Sequence, residues 1–358
     1  MADWRDRAQI QDDVVFFRYV TPGIEKNAAE VYIWDLDKTY LDTTIDSLPA
    51  LLATALERAF TKRNVPGTST LLQVLSQDWK KKYSQMRFPL YFISASPPQM
   101  EERIGEKFLL DEIRPFGCFY KDNLANLRPS RFWRLTKQVG YKVQALLQLR
   151  TQLKEDVRQV CWGDDSESDA VIYNLYSDIC ARRLGPQDLR SILRHLNVTA
   201  EQIDTILRLQ SEVPEQDPVD KIYINLAIDT DPDYYLKFGR RTLPTYNTFQ
   251  VALDLLQDGR IQSESVHNIA QDMIFNYRFT PEELQRSLND LVRRKVIGDR
   301  CLKEFANLGV ERGLFPQSFI DSLHPAAEAK VIDGRIYELE GHFEPWVPER
   351  IDYIHDYR

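Results

Sequence analysis

No stretch of about 18 consecutive apolar residues occurs in the chain, which excludes a hydrophobic membrane-spanning helix. The opening Met1-Ala2-Asp3-Trp4-Arg5-Asp6-Arg7 lacks the apolar centre of a secretory signal. Cysteine is scarce: Cys118, Cys161, Cys180 and Cys301 are far apart and make no C-x-x-C pair. Reduced, buried thiols in a cytoplasmic protein are therefore expected. The five histidines (195, 267, 324, 342 and 355) show no metal-ligand spacing, which argues against a zinc site or a His-centred triad. Positive charge is in deficit, with a net charge of −8 and a pI near 5.4. That balance weighs against general nucleic-acid binding and against broad attraction to anionic membranes, while leaving room for a local basic patch. No internal repeat or low-complexity tract is visible.

What is present is a soluble-protein composition, 43% hydrophobic and 28% charged, over 358 residues, enough for about two domains. The most informative stretch is Val31-Tyr32-Ile33-Trp34-Asp35-Leu36-Asp37-Lys38-Thr39. Four apolar residues rich in β-branched and aromatic types predict a buried strand. It ends in two aspartates at i and i+2, where open α/β sheets place their ligands. Two carboxylates about 4 Å apart at an effective dielectric near 20 repel by ~4 kcal/mol. A divalent cation or a shared proton relieves this. Asp-x-Asp after a strand is also ordinary turn chemistry, so the rest of the chain must decide.

Two further strands end in the same manner. Leu90-Tyr91-Phe92-Ile93 stops at Ser94-Ala95-Ser96-Pro97-Pro98. Val157–Trp162 stops at Gly163-Asp164-Asp165-Ser166-Glu167-Ser168-Asp169. Helical periodicity predicts helices over 46–60, 68–83 and 99–110, and before and after the third strand. Any lid should be small and the crevice open. Val14–Val20 reads as an edge strand or hairpin partner, and Phe116–Tyr120 as a short strand. Arg128, Arg131, Arg134, Lys137, Lys142, Arg150 and Lys154 form a basic stretch with no acid, for the most part a solvated helix face. Residues 182–218 read as a helical insertion, with Pro186 in a first turn and a capping box at Thr199. Ile222–Ala227 reads as a fourth core strand and Thr248–Leu256 as a helix. The predicted layout is a domain over 1–264 and a mainly helical region over 265–358, with a capping box at Thr280 and a small Asp333-Gly334 hairpin.

Two acids, a serine and an acid cluster at three strand ends, with a lysine one helix before the third, make the parts list of phosphoryl transfer through an aspartyl-phosphate. A carboxylate attacks phosphorus, a cation neutralises the crowded oxygens, and a hydroxyl and a lysine hold the rest. The order Asp-x-Asp-x-Thr, Ser, Lys, Gly-Asp-Asp-x-x-x-Asp resembles the haloacid dehalogenase superfamily of phosphatases. Val65-Pro66-Gly67, Ser94-Ala95-Ser96-Pro97-Pro98 and Gly163–Asp169 with Ile172-Tyr173 resemble the catalytic domain of actin-patch-type phosphatidate phosphatases. The similarity covers about 28–180 and the strand near Ile222.

The resemblance implies an α/β fold with a Rossmann-like parallel sheet, the Asp35 strand central and a minimal cap. It implies Asp35 as nucleophile and metal ligand. Asp37 becomes the general acid/base, with its carbonyl on the metal. Ser94 and Lys142 bind phosphate, and Thr39 supports the loop on the phosphate side. Lys137 competes with Lys142. Asp164 is a metal ligand, and Asp165 and Asp169 are a second ligand or its outer support. The cofactor implied is Mg²⁺, which suits an all-oxygen site. Relatives of this branch carry an acid after the second aspartate, where this chain has Lys38. The expected function is a Mg²⁺-dependent phosphomonoester hydrolase acting on phosphatidate or another bulky phosphorylated substrate. The alternatives are a nucleic-acid end phosphatase and a non-catalytic phosphate-binding or scaffold protein. Stable nucleic-acid binding is not expected.

Overall fold

A computed structural model of the chain describes residues 4–21, 28–42, 63–84, 86–122, 138–166, 168–318, 330–332, 335–338 and 345–355. The helix expected over 46–60, Lys137, Arg128–Arg134 and Asp333-Gly334 lie outside the described residues.

The described residues form an eight-stranded sheet in the order β1-β2-β5-β4-β3-β6-β7-β8. Its strands are β1 (Ala8–Gln11), β2 (Val14–Arg18), β3 (Glu30–Asp35), β4 (Leu90–Ile93), β5 (Gly117–Lys121), β6 (Arg158–Asp164), β7 (Val219–Asn225) and β8 (Thr242–Thr245). Strands β5 to β8 are mutually parallel across β4, β3, β6 and β7. The run at Val14 settles as a hairpin with β1, and β2 pairs antiparallel with β5. The fold is therefore mixed α/β with a mostly parallel, Rossmann-like sheet, as the resemblance implies.

Strand β3 is central and buried along its whole length. This explains why it reads as a continuous apolar run rather than an alternating one. Its residues still alternate between faces. Tyr32 and Trp34 enter one core cluster and Val31 and Ile33 the other. On the first face Trp34 stacks on Trp162, and Trp162 on Tyr223, with ring centroids 4.8 Å apart in both pairs. The chain leaves β3 for β4 on one side and returns to β6 on the other, so the carboxyl end of β3 is a topological switch point.

The helices are α1 (Thr68–Lys82), α2 (Glu101–Leu110), α3 (Val139–Arg150), α4 (Asp169–Cys180), α5 (Pro186–His195), α6 (Ala200–Glu212), α7 (Thr248–Gln257), α8 (Ser263–Tyr277), α9 (Pro281–Arg293) and α10 (Asp299–Glu311). The 182–218 insertion is α5 and α6, opened by Pro186 at the first turn and by a complete capping box at Thr199. Helix α6 covers α3 so closely that every residue of α3 is buried. A Cβ on Gly140 would lie 2.8 Å from Val198 Cγ1 and from Gln202 Cδ. Arg150, expected on a solvated face, is fully buried. Its guanidinium donates to the carbonyls of Lys154 (2.6 Å) and Glu155 (2.8 Å), an end cap that satisfies the charge.

Helices α8 to α10 share one core cluster with Trp34, Phe92 and α1, through residues such as Met273, Leu288 and Phe305. The packing therefore continues across residue 264. Arg260, between α7 and α8, bonds Glu30 at 3.2 Å, and also Asp220 and Asp258. Burial works against its charge, but Glu30 and Asp258 outweigh it and push its pKa up. This knot ties the later helices to the start of β3 and β7, at the end of the sheet opposite Asp35. Strands β9 (Lys330–Ile332) and β10 (Arg335–Glu338) form the expected small hairpin. Among the described residues no helix is long and apolar enough to cross a membrane.

Candidate active site

Asp35 is the last residue of β3 and shares the face of Val31 and Ile33, the face covered by α3 and α4. Both helices bring a charged residue to it. Lys142, in the first turns of α3, is 1% exposed and places Nζ 2.8 Å from Asp35 Oδ1. The same Nζ is 2.6 Å from Oδ1 of Asp169, the first residue of α4. The other Asp169 oxygen accepts the Asp164 backbone N–H at 3.2 Å. Asp164 ends β6, next to β3. Asp35, Asp164 and Asp169 are all buried, and each offers a carboxylate oxygen within 4.8 Å of the others.

Gly163 makes this convergence possible. A Cβ there would run into the Asp169 side chain, at 2.7 Å from Cγ and closer still to Cβ and Oδ2. Only a residue without a side chain lets the start of α4 fold back this tightly on β6.

Asp37 lies past the strand end, in a tight turn. The N–H groups of Tyr40 and Leu41 both donate to the Leu36 carbonyl, and Lys38 N–H donates to Leu41. The turn needs positive φ at Lys38, 57°. Lys38 is exposed, and its carbonyl accepts from Asn225 Nδ2 at 3.3 Å. Asp37 is half-buried, and its Oδ2 accepts the hydroxyls of Ser94 and Ser96, each at 3.3 Å. Ser94 Oγ in turn accepts the Ser96 N–H at 3.1 Å. The Ser94 carbonyl is held by the buried Tyr141 hydroxyl at 2.8 Å. Thr39 is buried, and its hydroxyl has no hydrogen-bond partner among the described residues.

The structure thus gathers Asp35, Asp37, Ser94, Lys142, Asp164 and Asp169 at the carboxyl ends of β3, β4 and β6, with Thr39 on the same turn. Lys142 reaches Asp35; its competitor Lys137 is outside the described residues. Asp165 takes a different course. Its Oδ2 accepts the Ala227 N–H (2.8 Å) and the Thr230 hydroxyl, so it clamps the loop after β7. Asp164 Oδ1 accepts from the Ser166 N–H and hydroxyl.

Beside this centre is a cavity of about 730 Å³ that shares Asp164 and Asp169 with it. Its far wall is the segment after β7, with Asp229, Asp231, Asp233 and, in the 3-10 turn Pro232–Phe238, Tyr234, Tyr235 and Phe238. Burial, with the charges of Asp165, Tyr234, Asp164 and Asp169 behind it, pushes the Tyr235 hydroxyl up from its ordinary value. Neither this wall nor Ser96 is among the site residues that the motifs point to. Five acids or aromatics within Asp229–Tyr235, just past a core strand, are the available signal.

Three buried carboxylates against one ammonium leave a formal charge of −2. An all-oxygen group of this size and charge fits Mg²⁺, whose ligands at roughly 2.0–2.1 Å stand about 3 to 4 Å apart. The set that could hold the ion is Asp35, Asp164 and Asp169, with Asp169 also engaged by Lys142.

A mostly parallel α/β sheet with acids, a lysine and a serine converging at its switch point defines the class of an α/β domain with a polar site at its strand ends. More particularly, residues 31–193 match the family model of the phosphatidate phosphatase APP1 catalytic domain, which bears out the resemblance read from the motifs and supports a phosphatase. No curated protein and no solved structure gives a significant match.

Proposed function

We propose that the chain is a Mg²⁺-dependent phosphomonoester hydrolase of the haloacid dehalogenase type, which transfers the phosphoryl group first to Asp35 and then to water. The observation that carries this reading is the Asp35 carboxylate, buried at a strand end, 2.8 Å from Lys142 and grouped with Asp164 and Asp169. Asp35 attacks phosphorus from this fixed position, and the P–O bond to the leaving alcohol breaks. Asp37, two residues on and half-open, gives that alcohol oxygen its proton. It then takes a proton from the water that hydrolyses the phosphoryl-Asp35 and releases inorganic phosphate. Lys142 and the hydroxyls of Ser94 and Thr39 hold the non-bridging oxygens. When bound, Mg²⁺ would neutralise the carboxylates and the phosphoryl charge.

The family description points to phosphatidate, and a phosphomonoester of a bulky alcohol is the substrate class to test first. A nucleic-acid end fits less well. Of the basic stretch, Lys142 and Arg150 are buried within the fold, and the cavity beside the centre is lined by acids. A purely binding role would not need the whole Asp35, Asp37, Lys142 and Asp164 set. The test is phosphate release with and without Mg²⁺ on phosphatidate, sugar phosphates, nucleotides and 3′-phosphorylated DNA. Release that requires Mg²⁺ and vanishes in Asp35→Asn is expected. Equal release by wild type and Asp35→Asn would refute the assignment.

A further inference from the structure

We propose that Tyr40 and Asp111 are positioning residues for Asp37: together they fix the backbone turn from which that carboxylate projects. The inference rests on the phosphatase reading, in which Asp37 gives the leaving alcohol its proton, and it assigns to that step two residues outside the motifs.

Three observations converge. First, Tyr40 sets the turn. Its N–H donates to the Leu36 carbonyl at 3.2 Å, and the Leu41 N–H donates to the same oxygen at 2.9 Å. That carbonyl belongs to the peptide joining Leu36 to Asp37. A peptide unit is planar, so holding its oxygen fixes the direction in which Asp37 leaves it. The contacts of the Asp37 carboxylate with the Ser94 and Ser96 hydroxyls, both 3.3 Å, are long against the usual O–H···O length of about 2.7–2.8 Å. The backbone therefore carries much of its aim.

Second, Tyr40 is anchored at its far end by a charge. It is fully buried, with its ring centroid 5.3 Å from that of Phe92 and 5.9 Å from that of Phe108. Its hydroxyl donates to Asp111 Oδ2, a charge-assisted bond and so stronger than a neutral one. Burial and the Asp111 charge both push the Tyr40 pKa up, which keeps the hydroxyl a donor. Third, the same carboxylate holds the other side of the turn's base. Asp111 Oδ2 also accepts from Asn64 Nδ2 at 3.0 Å, and Lys107 Nζ lies 2.5 Å from both Asp111 Oδ1 and Asn64 Oδ1. Asn64 stands opposite Leu41 in an antiparallel bridge. Beside it, Asp42 N–H donates to the Arg63 carbonyl (2.8 Å) and Val65 N–H to the Tyr40 carbonyl (3.0 Å).

Helix stability alone gives no reason for an acid at this place. Asp111 directly follows the last residue of α2, where the helix end disfavours an anion. Lys107, one turn back, offsets that cost, and the pair is largely buried, with side chains 12% and 13% exposed. An ionised carboxylate is acceptor-only and can take the phenol, the amide and the ammonium at once.

The test compares two phosphomonoesters of similar size, 2-phenylethyl phosphate and 4-nitrophenyl phosphate, with the full chain in Mg²⁺. The alkoxide of the first needs a proton as the P–O bond breaks; the nitrophenolate of the second leaves without one. Because kcat/KM covers only the steps up to loss of the alcohol, the later water step does not enter. Asp37→Asn should lower kcat/KM for the alkyl ester at least about a hundredfold more than for the aryl ester. Tyr40→Phe, which keeps the ring in the core, should skew the two in the same direction by about tenfold. Asp111→Asn, which keeps an acceptor for the phenol, should skew them less than Asp111→Ala. Gln73→Ala, which loses only a 2.8 Å bond to the Asp111 carbonyl, should leave the ratio unmoved. A merely structural role lowers both esters alike, and that result in Tyr40→Phe, beside a skewed Asp37→Asn, would overturn the proposal alone. An unskewed Asp37→Asn, or a wild-type chain that cleaves neither ester, would refute the reading on which the proposal rests, and the proposal with it.

Discussion

Replacing Asp35 by asparagine should stabilise the metal-free fold while removing its chemistry. Asp35 is 1% exposed, so its charge has lost almost all of its water. Lys142 at 2.8 Å attracts it by ~6 kcal/mol at an effective dielectric near 20. Asp164 and Asp169, within 4.8 Å, each repel it by at least ~3.5 kcal/mol on the same scale. The two repulsions offset the attraction to within about 1 kcal/mol, and the desolvation of the carboxylate, several kcal/mol, is left without compensation. Asparagine keeps the shape and drops the charge, and Lys142 keeps its 2.6 Å pair with Asp169. The expected gain is about 1–3 kcal/mol in urea denaturation with a chelator present. Excess Mg²⁺ should reverse the order, because a ligand that binds only the folded state stabilises it in proportion to its affinity, and Asp35→Asn removes a ligand oxygen. Asp35→Asn that is less stable than wild type in chelator, or that gains as much from Mg²⁺, would refute the balance of charges described here.

Gly163→Ala should destabilise by about 1–3 kcal/mol, since the added methyl meets Asp169, and should lower kcat more than a helix substitution of equal cost; denaturation and kinetics read the two effects. Asp165→Ala should leave the apparent Mg²⁺ affinity within about threefold and raise KM for a bulky substrate, because Asp165 clamps the loop after β7; a hundredfold loss of Mg²⁺ affinity would instead make it a ligand. Asp217 pairs with Arg183 at 2.6 Å and Arg241 at 2.7 Å. Burial alone would raise its pKa, but Arg241 and Arg183 outweigh it and hold it below 3.8. A carboxyl depressed in the folded state adds stability above its unfolded pKa and loses it as pH falls through the folded value. Asp217→Asn should therefore cost about 2–4 kcal/mol near pH 6, with the gap to wild type closing below about pH 3.8, as followed by denaturation at several pH values.

The sequence by itself determined strands β2 to β7, several helix boundaries and the chemical type of the ends of β3, β4 and β6, while β1 and β8 went unread. Those are local properties: an apolar run, a capping box at Thr199 or Thr280, an acid placed just past Trp34 or Gly163. The continuous apolar reading of β3 even implied that both its faces are covered. What the sequence left open depends on separations that no local pattern encodes. Lys142 meets Asp35 because α3 packs on the face where Asp35 emerges, a match set by strand alternation and helix rotation together. Asp165, adjacent to Asp164, turns to the loop after β7 because neighbouring residues at a strand end point opposite ways. Arg150 reads as a surface charge until α4 and α6 pack on α3 and leave its guanidinium carbonyls to cap. The acidic cavity forms from Asp164–Asp169 and Asp229–Phe238, segments some 60 residues apart that become neighbours only when β7 lies down beside β6. Tertiary packing alone put those charges around one space.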